Sequence, residues 1–306
     1  MRVLFAGTPE VAVPSLDALR SAGFDIVGVL TRPDAALGRK RVITPSPVAA
    51  RAQELGIPVI KAAKITAEVS QEIAALAPDI AAIVAYGGLV PAAALTIPQH
   101  GWINLHFSLL PAWRGAAPVQ HSVMNGDDIT GASTFLLESG LDTGPVYGTL
   151  TEEIRRTDTS GELLERLSRS GAVLLTQTLA AIDAGEAFGV PQSGDITLAP
   201  KITIDDARLD WKQPALAIDR RCRAVTPEPG AWTTWEEKTI KIGALVMRPD
   251  VRDLEPGRLQ IVGRKVVIGT GSHGLEIAQL QPAGKKMMAA ADWARGLPAP
   301  ESVVFL

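Results

Sequence analysis

Apolar residues in the first half of the chain come in short runs separated by segments of helical spacing. Val3-Leu4-Phe5-Ala6 is closed by Gly7-Thr8-Pro9, which predicts a buried strand. Residues 11–21 then carry apolar positions on one helical face, with Gly23 as a stop. The alternation continues with a strand at 26–30, a helix at 48–55 before Gly56, a strand at 58–60, a helix at 67–76 and a strand at 80–85. Gly101-Trp102-Ile103 is a further strand-like approach, followed by a short helix at 118–125 and strands at 132–137 and 146–152. Thr159-x-x-Glu162 is a capping box opening a long helix to about residue 184, which Gly185 stops. Strands alternating with helices predict an α/β fold with a doubly wound, mostly parallel sheet.

Beyond Val190 the pattern changes. Residues 191–208 lack periodicity, as an interdomain linker would. A helical piece at 215–223 follows, then short strands at 232–235, 239–242, 258–261, 265–268 and 275–280 punctuated by Gly and Pro. Such spacing predicts a small β-barrel. The expected organisation is therefore a first domain at 1–190, a linker at 191–208 and a smaller domain at 209–306. A length of 306 residues fits two domains.

Composition narrows the class. Hydrophobic residues at 46% and charged residues at 21% describe an ordinary globular protein. No apolar run approaches a membrane span, and the first residues pass directly into a strand without a signal-peptide pattern. The single cysteine, Cys222, excludes an internal disulfide and a multi-cysteine metal site. A cytoplasmic protein is expected. The net charge of −3 argues against general nucleic-acid affinity, so any RNA contact must be local. Two basic clusters are available, Arg39-Lys40-Arg41 and Lys285-Lys286. The first lies in the long connection 31–47, which reads equally as a surface excursion or as a basic finger for phosphates.

Candidate chemistry concentrates where the strand at 101–103 ends. Asn104 and His106 are two residues apart, so on a strand both side chains point to one face. The carboxyl ends of strands are where open α/β sheets bind ligands. Gly140-Leu141-Asp142-Thr143-Gly144 offers a carboxylate in a glycine-framed turn that could meet them. Tyr86-Gly87-Gly88-Leu89 follows a strand, and its glycines permit either close backbone approach to a ligand or merely a tight turn. Residue by residue, Asn104 and His106 are more often structural hydrogen-bonders, and Asp142 a turn residue. The G-x-G-x-x-G pattern of a dinucleotide site is absent. Ser108 has no G-x-S-x-G context, and Cys222 lies outside the first domain, so neither is a credible nucleophile. His100, His121 and His273 are scattered, and no metal site is indicated.

The run N-x-H-x-S-L-L-P-x-W-R-G-A-A-P at 104–118, with G-L-D-T-G at 140–144, resembles the folate-dependent formyltransferases, most closely those acting on methionyl-tRNA. The likeness extends from Phe5-Ala6-Gly7-Thr8-Pro9 to the Lys285-Lys286 region. It implies a Rossmann-like catalytic domain, an OB-like C-terminal domain and a catalytic trio of Asn104, His106 and Asp142. It implies that Ser108, Leu109, Leu110 and Pro111 line the folate site, and that the Tyr86, Gly87, Gly88 and Leu89 backbone follows the pterin. Arg39, Lys40 and Arg41 would reach the tRNA acceptor arm, with Lys285 and Lys286 in an RNA-binding barrel. The implied donor is 10-formyltetrahydrofolate, with no metal. The implied acceptor is the α-amine of initiator methionyl-tRNA, the other product being tetrahydrofolate. A monomer with no membrane partner is expected.

In such a reaction negative charge develops on the formyl oxygen, where the Asn104 amide and a protonated His106 could both donate. A neutral His106 could instead shuttle protons. Asp142 would raise the pKa of His106, orient its ring and, directly or through water, accept the proton of the attacking amine. Two positions depart from the expected pattern: Phe107 is bulky where a small residue is usual, and Ala112 stands where a basic residue is common. Formylation of an amino sugar nucleotide or purine precursor, or hydrolysis of the formyl-folate, would keep the trio without needing RNA elements. A folate- or RNA-binding module with a silent site is the alternative outside enzymes, and the intact trio counts against it.

Overall fold

The apolar run at the N-terminus becomes strand β1 (Arg2–Gly7), buried from its second residue onward. The computed structural model describes residues 1–38 and 40–306. In chain order there follow α1 (Val13–Ser21), β2 (Asp25–Thr31), β3 (Ala35–Leu37), β4 (Val42–Thr44), α2 (Pro47–Glu54), β5 (Val59–Lys61) and α3 (Ala67–Ala75). Next come β6 (Ile80–Val84), α4 (Ala92–Leu95), β7 (Trp102–His106), β8 (Arg114–Gly115) and α5 (Pro118–Asn125). The first half closes with β9 (Ile129–Leu136), β10 (Val146–Glu153), α6 (Ser160–Asp183) and β11 (Leu198–Ala199).

Seven strands form one sheet in the order β10-β9-β7-β6-β1-β2-β5. From β7 to β5 the pairs are parallel, while β9 runs antiparallel to β7 and β10 antiparallel to β9. Strands β1 and β6 are covered on both faces, which explains their continuous apolar sequence. The chain order reverses between β1 and β6. Parallel strands that diverge there leave a crevice beyond their carboxyl ends. The Thr8 hydroxyl, just past β1, donates to the Tyr86 carbonyl, just past β6, at 2.8 Å and ties the two ends together. The connection 31–47, expected to be irregular, contains the antiparallel hairpin β3–β4. The capping box is present: Thr159 N–H donates to Glu162 Oε2 at 2.9 Å and Glu162 N–H to Thr159 Oγ1 at 3.2 Å.

The chain divides into two compact units. One comprises Met1–Pro118, Ile129–Glu153 and Leu164–Ala199; the other comprises Val119–Asp128, Ile154–Leu163 and Pro200–Leu306. This differs from a boundary at 190 with a linker at 191–208. Residues 191–199 belong to the first unit because β11 pairs with β8, through Arg114 N–H to Thr197 O at 2.9 Å and Ala117 N–H to Ala199 O at 3.1 Å. Aperiodic sequence here marks backbone pairing rather than a free tether.

The second unit contains α7 (Ala215–Ala224), β12 (Trp232–Trp235), β13 (Lys238–Ile242), β14 (Leu245–Arg248), β15 (Leu259–Val262) and β16 (Lys265–Ile268). It ends with β17 (Gly274–Ile277), β18 (Gln279–Pro282), β19 (Met288–Ala289) and α8 (Ala290–Arg295). The strands make two four-stranded antiparallel sheets, β12-β13-β18-β19 and β14-β17-β16-β15. The single strand expected at 275–280 breaks at Ala278 into β17 and β18, one in each sheet. Trp211, Ile218, Ile240, Ile268 and Leu280 are buried in the core of this unit. Among the described residues no helix is long and apolar enough to cross a membrane.

Candidate active site

The candidate residues of β7 are sorted by strand alternation. Leu105 faces α6, where a Cβ on Gly171 would lie only 3.0 Å from its side chain, so the glycine lets helix and strand approach. Asn104 and His106 point to the opposite face. Asn104 is half-exposed, and among the described residues its amide makes no hydrogen bond, leaving it available to a ligand.

His106 is 6% exposed. Its Nε2 lies 2.9 Å from the Trp113 carbonyl oxygen, and a carbonyl can only accept, so Nε2 carries a proton. Nδ1 faces Asp142 Oδ2 at 3.9 Å, and the Phe135 ring packs edge-on with centroids 6.3 Å apart. Burial pushes the pKa of His106 down, and this outweighs the upward pull of the Asp142 carboxylate and the Trp113 carbonyl. The net direction is opposite to the rise expected from Asp142 alone, because removal from water disfavours the imidazolium more than one carboxylate at 3.9 Å favours it. His106 is therefore neutral near pH 7, with a lone pair on Nδ1.

Asp142 is held by its neighbours. It has φ +50°, unusual for a non-glycine residue, inside a turn whose glycines are sterically required. A Cβ on Gly144 would come within 1.8 Å of the Leu136 carbonyl oxygen. Asp142 Oδ2 accepts from the Gly115 N–H at 2.7 Å. Gln192 Nε2 donates to the Asp142 carbonyl at 2.8 Å and the Gly144 carbonyl at 2.9 Å. Its Oε1 accepts from Arg114 Nε at 3.1 Å and Nη2 at 2.7 Å.

The Ser108-Leu109-Leu110-Pro111 turn is largely internal. Ser108 is fully buried, and its hydroxyl donates to the Ala112 carbonyl at 2.6 Å. Ser133 Oγ donates to the Ser108 carbonyl at 2.7 Å and accepts from Leu110 N–H at 3.1 Å. Pro111 is buried, and only Leu109 and Leu110 are half-exposed. Phe107 is buried, which accounts for its bulk as packing. In the loop after β6, Tyr86 turns inward and its hydroxyl donates to the Ala62 carbonyl at 2.9 Å. Gly87 and Leu89 are exposed and Gly88 is half-exposed; Leu89 is 91% exposed. A Cβ on Gly88 would sit 2.7 Å from the Tyr86 ring, so the loop is backbone-rich by necessity. Ile83 of β6 pairs with Asn104 of β7, which places this loop beside the end of β7.

Lys40 and Arg41 are exposed at the tip of the β3–β4 hairpin; Arg39 lies outside the described residues. Lys285 and Lys286 are exposed in the β18–β19 turn of the second unit. Cys222 is buried in that unit, and burial pushes its thiol up to about 12. Among the described residues no three His, Cys, Asp or Glu side chains cluster as a metal site would require.

Five participants escaped the sequence reading. Trp113 supplies the carbonyl for His106, Gly115 the amide for Asp142, and Arg114 and Gln192 the links between them. Arg32 donates from Nη1 to the Gly87 carbonyl at 2.9 Å and the Ala63 carbonyl at 3.2 Å, pinning the loop after β6. Residues 113–115 lay inside the recognised run; Gln192 carried no signal.

Comparison with known proteins adds the family context. Residues 1–179 match the formyl transferase family and residues 201–298 the formyl transferase C-terminal domain. A methionyl-tRNA formyltransferase of Arthrobacter sp. (strain FB24) is 71% identical over 305 residues, covering 100% of both chains. That of Streptomyces coelicolor is 56% identical, covering 97% of this chain and 96% of its own. Among solved structures, an N-formyltransferase from Helicobacter canadensis, in complex with folinic acid and dTDP-3-aminofucose, superposes with TM-score 0.68 at 18% identity. It covers 92% of this chain and 98% of that one, a likeness of fold.

Proposed function

The chain belongs to the methionyl-tRNA formyltransferase family, and from that premise we propose that it transfers a formyl group from 10-formyltetrahydrofolate to the α-amine of initiator methionyl-tRNA. Likeness over the full length of both chains at 71% identity is the observation that carries the substrate. The sugar-nucleotide and purine alternatives find no comparable support, and the 18% likeness to an N-formyltransferase in complex with dTDP-3-aminofucose speaks only to fold.

The donor supplies an electrophilic formyl carbon attached to a nitrogen leaving group, and the protein's residues handle charge and protons around it. The free Asn104 amide donates to the formyl oxygen as it gains charge, a contribution worth about 3–4 kcal/mol for one such donor. Neutral His106 accepts a proton at Nδ1 from the attacking amine, since Nε2 is already committed to Trp113. Asp142, 3.9 Å away, stabilises the imidazolium that results. As the tetrahedral intermediate collapses and the bond between the formyl carbon and the donor nitrogen breaks, that imidazolium returns its proton to the leaving nitrogen, releasing tetrahydrofolate. Of the two roles open from sequence, proton acceptor fits the lowered pKa better than pre-charged donor. The residues present suit a folate: exposed backbone at Gly87 to Leu89 and half-exposed Leu109 and Leu110 offer peptide groups and apolar surface to a flat heterocycle.

In this reading the first unit holds the folate and the aminoacyl end, and no metal takes part. Lys40 and Arg41, together with Arg39, meet acceptor-arm phosphates, as do Lys285 and Lys286 of the second unit. The enzyme acts as a cytoplasmic monomer. The test is formyl transfer to charged initiator methionyl-tRNA beside free methionine, an amino sugar nucleotide and water. Transfer to tRNA alone is expected; formate release or sugar formylation without it would overturn the assignment.

A further inference from the structure

We propose that Gln192 is a positioning residue of this site, whose amide holds the Asp142 carboxylate against His106. The inference rests on the reading of Asn104, His106 and Asp142 as a formyl-transfer site. Gln192 lies between the two family matches, which end at 179 and resume at 201. Its neighbours Pro191, Ser193 and Gly194 are exposed, yet its own side chain turns inward and is half-buried.

A primary amide has two donors and an acceptor oxygen with two lone pairs, and all four are used here. The amide's orientation is unambiguous: guanidinium N–H groups require the oxygen, and the Asp142 and Gly144 carbonyls require the NH2. Gln192 therefore spans both sides of the bond between the Gly115 N–H and Asp142 Oδ2. On one side it grips the backbone of residues 142 and 144; on the other it grips the side chain of Arg114, next to Gly115. Asp142 sits in a left-handed conformation that a free turn would leave. Without the two carbonyl bonds that turn relaxes, and the 3.9 Å separation from Nδ1 is no longer enforced. A misplacement of about 1 Å in such a constellation can cost on the order of 100-fold.

Asp142 is the charged group acting on His106, whose ring otherwise meets the Trp113 carbonyl and Phe135. In the full-length enzyme, Gln192→Met removes all four bonds without adding charge. The expected result is a kcat lower by about 10- to 100-fold with little change in KM for either substrate. NMR titration of His106 should show its pKa falling further, since Asp142's upward pull is lost. Introduced into Asp142→Asn, Gln192→Met should cause little further loss, because residues acting as one unit are non-additive. Should Q192M not fold, Q192E keeps the Arg114 contacts while losing both donors, and must show the same fall in kcat. Wild-type turnover in either variant, or an equal loss in the Asp142→Asn background, overturns the proposal. If the wild-type enzyme itself fails to formylate tRNA, the functional reading falls; an unmoved His106 titration in Q192M would then overturn the clamp, and a lowered one would support it.

Discussion

The end of β7 and the β3–β4 hairpin belong to the same unit, and both are read as meeting substrate, yet they are built in opposite ways. Around His106 the imidazole Nε2 donates to the Trp113 carbonyl, Gln192 donates to the Asp142 carbonyl, and the ring is 6% exposed. On the hairpin, Leu37, Val42 and Ile43 are 54–68% exposed, and Lys40 and Arg41 project at its tip. The difference follows from the tasks. Proton transfer requires fixed distances and a tuned pKa, which only a closed network in a dry site can hold. Neutralising polymer phosphates requires charge and reach, and each contact adds a similar increment wherever it falls.

The contrast is sharpest at its largest expected effect. His106→Ala should lower kcat by about 10²–10⁴-fold, and Asn104→Ala by about 10²–10³-fold, with tRNA affinity unchanged by equilibrium binding. Gly144→Ala comes next. Its Cβ would need to displace the Leu136 carbonyl or the Asp142 turn, so kcat should fall on the order of 100-fold although residue 144 touches no substrate. Wild-type turnover in that variant would show that the turn tolerates slack and erase the distinction.

The pH profile sharpens the comparison further. The pKa of His106 lies below its ordinary value; on the proposed role, in which the neutral ring accepts the proton, kcat should be retained through neutrality and lost as pH falls through that lowered pKa. The same sign governs stability: the contribution of the neutral buried ring is full above the unfolded pKa of about 6.5 and declines as pH falls toward the folded one. Asp142→Asn should lower activity and move the acid limb to still lower pH, since only burial then acts strongly. A limb moving upward would contradict the assigned direction. Smallest are the hairpin effects. Lys40→Ala and Arg41→Ala should each raise KM for tRNA and reduce the salt slope of binding by about 1, leaving kcat intact. A fall in kcat with an unchanged salt slope would place the hairpin in the chemistry instead.

Legibility in the sequence divided along the same line. The β1, β6 and β7 strands declared themselves through apolar runs; spacing and glycine framing made Asn104, His106 and Asp142 candidates, but only the family resemblance joined them as a trio. What had no one-dimensional signature was recruitment across distance. Gln192 is one amide in an aperiodic stretch, and nothing local distinguishes it from Gln213 or Gln260. The hairpin strands are three residues each and exposed, too short to show alternation. The family resemblance places Ser108 at the folate site; its burial and its bond to the Ala112 carbonyl show a hydroxyl engaged within the turn itself. The net direction for His106 was not legible for a related reason: the upward pull of Asp142 could be read from sequence and is present, but the depth of burial that outweighs it could not.

The pairing of residues 113–117 with 197–199 also bears on how the enzyme comes into being. Trp113 N–H is held by Thr197 Oγ1, 84 positions further along the chain. A ribosome adding roughly 5–20 residues per second needs roughly 4–17 s to cover that distance. From the addition of residue 142 onward, the nascent chain carries Asn104, His106 and Asp142 but still lacks Gln192 and the β11 segment that frame them. The reactive groups are thus made early and become a site only late in synthesis.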